Sequence, residues 1–355
     1  MNHPKAPWAL AAMLLALAAH AARGAEPAAP PAAPPAQAAD QAADAPKEPA
    51  AQSPAAADAA PVTPEEVQRL VASLATGDDA QRTVARKRLS VAGRAAVAPL
   101  VEMLADAQAP PARRAAAAEA LVAVGRSSQS ALVDALGHAD PFVRASAAAA
   151  LGQTRMIECV PAVMRCLGDR EAAVRESAAK ALGYLGDAGA ADGLARIFRK
   201  DASAEVRTAA VEALGRLGCR AAIEPLVEGL SDPELQVRRV SAAGLVGMGT
   251  TLAAGRRGEL GRRRAAAALV AALADKDALV RTRATEALGL MKEKEAVEAI
   301  GALLADADAR LAAVQALARI RTPQSQRVLA EAAARHTDAA VREAAGKALR
   351  TMGSP

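Results

Sequence analysis

Two histidines are the side chains beyond the N-terminal segment best suited to hold a metal ion or transfer a proton. His138 and His336 lie far apart in the chain, each two residues before an aspartate, Asp140 or Asp338. A metal site or a catalytic relay needs several such groups within a few ångströms. Neither histidine has a glutamate or a second histidine beside it. The sequence therefore predicts no catalytic residue, no metal site and no cofactor.

Three cysteines are the other reactive side chains. Cys159 and Cys166 are seven residues apart on one expected helix, so two turns of about 5 Å each separate them by more than a disulfide spans. Cys166 takes the place of a core leucine such as Leu230. We expect both to be buried as small apolar side chains. Cys219, near a turn, is the one candidate reactive thiol.

Arginines recur along the chain at a fixed place about every 31 residues, each with an aspartate several residues upstream. A guanidinium matches a carboxylate with two parallel hydrogen bonds. We therefore expect a ladder of arginine–aspartate contacts between neighbouring repeats, and a row of ligand-binding arginines is the alternative. The members of this ladder are Arg144, Arg175, Arg207, Arg238, Arg281, Asp140, Asp169, Asp201 and Asp232.

A second group of arginines is clustered within residues 249–264. Five arginines stand there against the single Glu259, a net charge of +4. The segment interrupts the regular spacing, and insertions of this kind form loops on one face, where binding often occurs. We expect either a solvated loop or a site for an anionic partner. The candidate binding residues are Arg256, Arg257, Arg262, Arg263 and Arg264.

Composition narrows the class of protein that carries these residues. Of the 355 residues, 52% are hydrophobic but only 1% are aromatic, and the formal net charge is +5. Cores of this size normally use large aromatic side chains, so this one must pack helices through small residues. With so few aromatic residues the chain has no platform for stacking bases, and we predict no nucleic-acid partner.

The first 24 residues have the pattern of a signal peptide. Lys5 supplies a positive charge, residues 8–19 are apolar, and small residues follow. Twelve helical residues rise only about 18 Å, less than the roughly 30 Å of a bilayer core. We expect cleavage, export to a bacterial periplasm and no stable membrane span afterwards. An uncleaved anchor is the alternative.

Residues 25–62 are nearly all alanine and proline. Repeated prolines remove helix hydrogen bonds, and the stretch lacks the apolar side chains needed for a core. We predict a disordered linker, with a tether to a partner or a cell-wall layer as the alternative.

From residue 63 to residue 355 one pattern repeats. Valine and arginine are followed by alanines and then by leucine and glycine, as in residues 174–183. Successive closing leucines are 29 to 32 residues apart, with one interval of 43. They are Leu89, Leu121, Leu151, Leu182, Leu214, Leu245, Leu288, Leu317 and Leu349. Nine copies at this period predict an array of helical repeats.

Each copy is expected to hold a pair of helices. Val174, Ala178, Ala181 and Leu182 fall on one side of a helix, which makes a buried stripe. An aspartate or small polar residue ahead of most copies predicts a helix cap or a tight turn. Glycine follows the leucine in four copies, at Gly152, Gly183, Gly215 and Gly289, and predicts the end of the helix there. A second apolar stretch between copies, such as residues 223–230, supplies the first helix of the pair. Neither helix buries its stripe alone, so the pairs must stack.

This pattern resembles the HEAT repeat family, in particular its short subclass named PBS-lyase-like HEAT repeats. The resemblance implies an all-α fold, an α-solenoid with a right-handed superhelix of about nine helix pairs, whose second helices line the inner face. HEAT-like deoxyhypusine hydroxylases bind iron through His-Glu pairs, and this chain has none.

The exposed side of the second helices is the expected contact surface. It holds the positions one and five after each arginine and mixes both charges, which suits a protein partner. Its candidate binding residues are Glu176, Lys180, Glu212, Arg239 and Glu286. We predict a non-catalytic protein-interaction scaffold or adaptor whose partner is a protein, with an acidic surface if the basic segment takes part. A PBS-lyase-like enzyme, or an accessory subunit of a modifying enzyme, is the alternative.

Overall fold

The structure, a computed structural model, describes residues 62–253 and 259–353. The expected signal peptide and linker therefore lie outside the described residues, except for Val62. Arg256 and Arg257 also lie outside them. The chain divides into two compact units, Met1–Ser128 and Gln129–Pro355.

The described part of the first unit contains two helix pairs. Its helices are α1 (Pro64–Thr76), α2 (Asp79–Ala92), α3 (Arg94–Ala105) and α4 (Pro111–Val124). Thr63 caps α1 by accepting a hydrogen bond from the backbone N–H of Glu66 at 3.3 Å. Ion pairs join these helices: Arg88 of α2 binds Glu66 of α1 at 2.7 Å, and Arg86 binds Glu119 of α4.

The described part of the second unit contains seven helix pairs. The first helices of the pairs are α5 (Gln129–Ala135), α7 (Val160–Arg165), α9 (Ala191–Lys200), α11 (Ile223–Gly229), α13 (Glu259–Ala272), α15 (Val297–Ala302) and α17 (Pro323–Arg335). The second helices are α6 (Pro141–Thr154), α8 (Ala172–Leu185), α10 (Ala204–Leu217), α12 (Leu235–Ala253), α14 (Ala278–Met291), α16 (Arg310–Ile320) and α18 (Ala339–Gly353). The described residues form helices and turns without strands, which confirms the predicted all-α solenoid.

The buried stripe of each second helix follows the repeat. In α8, Val174, Ala178, Ala181 and Leu182 are at most 1% exposed. The leucine of this position is fully buried in every copy from Leu89 to Leu317. Alanine fills the remaining contacts at no cost in side-chain entropy, so the helices approach closely.

The described parts of the interruption at residues 249–264 are helical, where the sequence predicted a loop. Gly249 belongs to α12, which runs to Ala253, and residues 259–264 form the start of α13. The extra residues that the structure describes therefore lengthen two helices. Most of them are leucine, alanine, glutamate or arginine, which are good helix formers, and residues 254–258 lie outside the described region.

The glycines after the repeat leucines do not end the helices, so that expectation was wrong. Gly152, Gly183 and Gly289 lie inside α6, α8 and α14, and left-handed backbone occurs instead at later residues such as Gly186 and Gly218. The glycines serve close packing. A Cβ on Gly183 would stand 2.8 Å from the Cα of Ala213 in the next second helix, closer than real Cβ atoms come.

The recurring arginines clamp consecutive pairs together. Arg175 donates from Nε to Oδ2 of Asp201 at 2.6 Å and from Nη2 to Oδ1 at 2.9 Å. Its Nη1 donates to the carbonyls of Asp169 and Arg170, at the start of its own turn. One guanidinium thus fixes the turn before its helix and the turn of the following repeat.

The same contacts recur with small changes. Arg144 binds Asp169, Arg207 binds Asp232, Arg238 binds Asp275, and Arg281 binds Asp306. The partner is the aspartate of the next turn, so Asp169, Asp201 and Asp232 each accept from the preceding arginine. Asp140 caps α6 through the N–H of Phe142.

The aspartates also shape the turns in which they lie. Oδ1 of Asp169 accepts the N–H of Glu171 at 2.9 Å. Asp201 and Asp232 likewise accept the N–H of the residue two positions later, Ser203 and Glu234. In two turns a histidine replaces this aspartate. Nδ1 of His138 accepts the N–H of Asp140, and Nδ1 of His336 accepts that of Asp338, both at 3.0 Å. The histidines are thus turn-forming residues.

Arg175→Ala is expected to lower the melting temperature. The change leaves Asp201, whose side chain is 5% exposed, without its charged partner. Hydrogen bonds to charged groups contribute about 1.5–3 kcal/mol each, so we expect a loss of about 2 kcal/mol and several degrees in thermal denaturation. Arg170→Ala is the control, since that side chain is 76% exposed and stands 3.9 Å from Glu171. Equal melting temperatures for the two variants would contradict the clamp.

Gly183→Ala is expected to destabilise the protein, although alanine normally stabilises a helix interior by about 1 kcal/mol relative to glycine. The added Cβ would force α8 and α10 apart. In Gly346→Ala the added Cβ meets only the end of Arg350, at 3.7 Å. Circular dichroism melts should show a lower midpoint for Gly183→Ala and an equal or higher one for Gly346→Ala. The reverse order would show that close approach does not explain the glycine.

Acid should weaken the protein through its paired aspartates. The Arg239 guanidinium lowers the pKa of Asp277 to about 2. In the unfolded chain this pKa is about 3.9, so the stabilisation is complete above about pH 4 and is lost as the pH falls towards about 2. Urea midpoints should stay level near neutral pH and fall in this window. Arg239→Gln should reduce the fall, and an unchanged acid profile in that variant would contradict the assignment.

Candidate functional site

The exposed side of the second helices is a repeated surface, called here the second-helix face. It consists of the positions one, five and nine after the repeat arginine, which lie within about 80° of one another at 3.6 residues per turn. In α6, α8, α10, α12 and α14 they are Ala145, Ala149, Gln153, Glu176, Lys180, Tyr184, Thr208, Glu212, Arg216, Arg239, Ala243, Gly247, Thr282, Glu286 and Leu290. These side chains are half-buried or exposed.

The predicted binding residues on this face form short ion pairs. Within α8, Lys180 donates to Glu176 at 2.6 Å, and within α10 Arg216 donates to Glu212 at 2.6 Å. Arg283 binds Glu286 in α14 at 2.9 Å.

Arg239 pairs across helices with Asp277, the capping residue of α14, at 2.6 Å. The second-helix face therefore alternates paired charges with small side chains such as Ala149 and Ala243. Its charges are balanced locally.

The arginines of α13 are also paired. Arg262 donates to Glu293 at 3.1 Å, Arg263 to Glu259 at 2.9 Å, and Arg264 to Glu224 at 2.6 Å. The net charge of +4 counts only residues 249–264. Glu224 of α11 and Glu293 in the turn after α14 pair with arginines of this segment in the fold, so the local excess of positive charge is smaller than the count along the sequence. These arginines stand apart from the second-helix face, since α13 is a first helix.

Glu293 lies in an unusual setting. Burial raises the pKa of its carboxyl group, and so does the hydrogen bond to Glu295, while Arg262 acts in the opposite direction. Arg262 itself keeps its Nε buried without an acceptor in the described residues. The contact holds the first turn of α13 to the turn that follows α14.

Sequence reasoning missed the pairing of Tyr184 with Arg216. The guanidinium carbon of Arg216 lies 4.3 Å from the centre of the Tyr184 ring. Both residues occupy the ninth position after their repeat arginine, so extending the one-and-five pattern by one helical turn would have found them.

The cysteines are free thiols in the structure. Cys159 and Cys166 are buried, and Cys219 is half-buried. The first two do not share one continuous helix, because each lies in a 3-10 turn at an end of α7. Burial raises the pKa of both thiols, so they are poor nucleophiles.

Residues 62–253 and 259–353 show neither a metal site nor a membrane-spanning helix beside the second-helix face. No group of three or more histidine, cysteine, aspartate or glutamate residues has the arrangement of a metal site there. An open depression between α9 and α10 is lined by Asp201, Arg207 and Asp232, which belong to the clamps. Within the same ranges no helix has both the length and the apolar character needed to cross a bilayer.

Solved structures of low sequence identity share this fold. An engineered protein is 22% identical, with a TM-score of 0.51, over 81% of this chain and 89% of its own. YibA of Escherichia coli is 20% identical, with a TM-score of 0.53, over 71% of this chain and 91% of its own. Importin beta is 16% identical, with a TM-score of 0.57, over 80% of this chain and 45% of its own. No curated protein matches the chain.

The repeats match two family descriptions. The pattern of HEAT repeats matches residues 129–215, 191–255 and 301–355, which together make up more than half of the chain. The pattern of the PBS lyase HEAT-like repeat matches residues 280–306. These matches confirm the resemblance that the Val-Arg, Ala, Ala-Leu-Gly pattern indicated, and the chain belongs to the HEAT repeat family.

Proposed function

We propose that this protein is a non-catalytic scaffold that binds a protein partner along the second-helix face of its second unit. The observation that carries the proposal is the composition of that face. Charges of both signs, paired within or between helices, occur together with small residues on four consecutive second helices, from α8 to α14. Protein interfaces combine mixed polarity with a broad contact of this kind.

The clamps support this role by making the face rigid. Arg144, Arg175 and Arg207 each bind their own turn and the next, so the helices that carry the face keep a constant register. A partner then meets a surface that is already ordered, which lowers the entropy cost of association.

Export is part of the proposal and rests on the first 24 residues. A positive charge, a short apolar stretch and small residues form the pattern of a signal peptide. The partner of an exported protein would be another exported or cell-surface protein. The arginines of α13 are a second candidate contact for such a partner, because Arg263 keeps 77% of its side chain exposed.

A PBS-lyase-like role is the second candidate function, and one observation favours it. Residues 280–306 match the PBS lyase HEAT-like repeat. This segment comprises α14, α15 and the turn that holds Asp306, so the match covers a clamp of the scaffold. An accessory subunit of a modifying enzyme would use the same second-helix face to hold its substrate protein.

A matched pair of exposed alanines tests the proposal. Ala243 lies on the second-helix face of α12, and Ala334 lies on the first helix α17, both exposed. Ala243→Arg should reduce the recovery of cross-linked partners from the producing cell, because a long side chain then occupies the face. Ala334→Arg should leave recovery unchanged.

Replacing Arg262, Arg263 and Arg264 together by alanine separates the two surfaces. If this change abolishes recovery while Ala243→Arg has no effect, binding occurs on α13 and the proposal for the second-helix face is wrong. Melting curves of all variants check that each is folded.

A further inference from the structure

Tyr184 and Arg216 are brought together by the packing of α8 against α10. Gly183 precedes Tyr184, and its bare Cα lets the Ala213 backbone approach so closely that a Cβ would stand 2.8 Å from the Ala213 Cα. Tyr184 follows Gly183 directly and Arg216 follows Ala213 by three residues, about one helical turn, so this contact brings their side chains close together on the surface. The Arg216 guanidinium accordingly lies over the Tyr184 ring, with its central carbon 4.3 Å from the ring centre.

Arg216 is held in a defined orientation. The ring supports the plane of its guanidinium, and Nη2 donates to Oε1 of Glu212 at 2.6 Å. The N–H groups of Nε and Nη1 have no acceptor among the described residues, and a third of the side chain is exposed. A guanidinium stacked on an aromatic ring loses little further entropy when an acceptor arrives.

Tyr184 contributes the apolar half of the site. It is 38% exposed although Arg216 covers one side of the ring, and its hydroxyl makes no hydrogen bond within the described residues. On the other side, the neighbouring second helix α6 carries Ala149 and Gln153 at the corresponding positions. Gln153, at the position of Tyr184, is itself exposed, and the small Ala149 corresponds to Lys180 one turn earlier.

We propose that Tyr184 and Arg216 form the anchor that receives an acidic segment of the protein partner. A carboxylate of that segment binds the free N–H groups of Arg216, and an adjoining apolar side chain packs on the Tyr184 ring. Arginine and tyrosine dominate binding energy at protein interfaces, because one supplies directed charged hydrogen bonds and the other a rigid apolar surface. This inference rests on the proposed function, since it names the chemistry of one place on the same face.

Charge complementarity selects the acidic partner. Lys180 on α8 and Arg239 on α12 are each already paired with one carboxylate. Arg216 donates to Glu212 through one nitrogen only. An incoming carboxylate can therefore accept the remaining N–H groups of Arg216, whereas an incoming cation has no lone pair with which to accept them.

The chain contains a single tyrosine, which allows a direct measurement. Full-length protein produced with 3-fluorotyrosine gives one fluorine NMR resonance, from the anchor. The probes are a short synthetic peptide with a Glu-Leu pair in a Gly-Ser background, the same peptide with Gln-Leu, and inorganic phosphate. We expect a saturable shift with the Glu-Leu peptide and affinity about tenfold weaker with the Gln-Leu peptide.

Two variants provide the controls. Arg216→Gln should weaken binding of the Glu-Leu peptide about tenfold and leave the melting temperature close to that of the unchanged protein. Arg319→Gln changes an exposed arginine at the corresponding position of α16 and should have no effect on the fluorine shift.

Several results would overturn the proposal. These are equal affinity for the Glu-Leu and Gln-Leu peptides, an equal response to phosphate, and no response to any probe. If Ala243→Arg still reduces partner recovery in those cases, the scaffold function stands and only the anchor is wrong. If Ala243→Arg has no effect either, both proposals fail.

Discussion

The arginine clamp is the interaction on which the rest of the structure depends. Neither helix of a pair buries its apolar stripe alone, so each pair needs a neighbour in a fixed position. Hydrophobic contact between alanines is weakly directional and would permit several registers. The clamp permits only one register. Its guanidinium binds two carbonyls of its own turn and a carboxylate of the next turn, and its donors are fixed in a plane. The clamp converts general attraction between small side chains into a defined repeat.

Close packing of the second helices follows from that register. With Arg175 holding Asp201, Gly183 is placed against Ala213, and the two backbones meet without intervening side chains. A core built in this way needs no aromatic side chains, which accounts for the composition. It also accounts for the second-helix face, since closely spaced helices bring their surface side chains into contact, as Tyr184 and Arg216 show.

The fold could be predicted from sequence because it depends on a local pattern that recurs. Valine before the arginine and leucine seven residues after it mark one side of a helix wherever they occur. The clamp contacts were harder to assign. Arg238 binds Asp275 across the interruption, and the adjacent Arg239 binds Asp277. The spacing in the sequence alone does not show which arginine pairs with which aspartate. Glycine was misassigned because left-handed backbone and close approach both require the absence of a Cβ, and sequence does not separate these causes.

The candidate site was only partly predictable, for a related reason. Charge counted along residues 249–264 gives an excess of arginine, but the compensating Glu224 and Glu293 lie 40 and 31 residues from their partners. Pairing over such distances depends on which turns the fold brings together. Glu176, Lys180 and Glu212 were placed on the exposed face by periodicity alone. Tyr184 belongs to the same series, one turn further along. It lies beyond the positions one and five after the arginine, which were the only ones that the sequence prediction used.

The end of the second unit is held differently from its middle. Arg310 reaches Asp338 of the next turn through Nη1 alone and the carbonyl of Ala307 in its own turn through Nε, so it makes one hydrogen bond to each turn where Arg175 makes two. Thermal opening of a linear stack begins where the coupling between neighbours is weakest. Fluctuations should therefore start at α17 and α18 and reach α8 and α10 only after the helices between them have opened. The helices that carry Tyr184 and Arg216 would stay ordered while the end of the stack frays, and a bound partner would be retained through such partial unfolding.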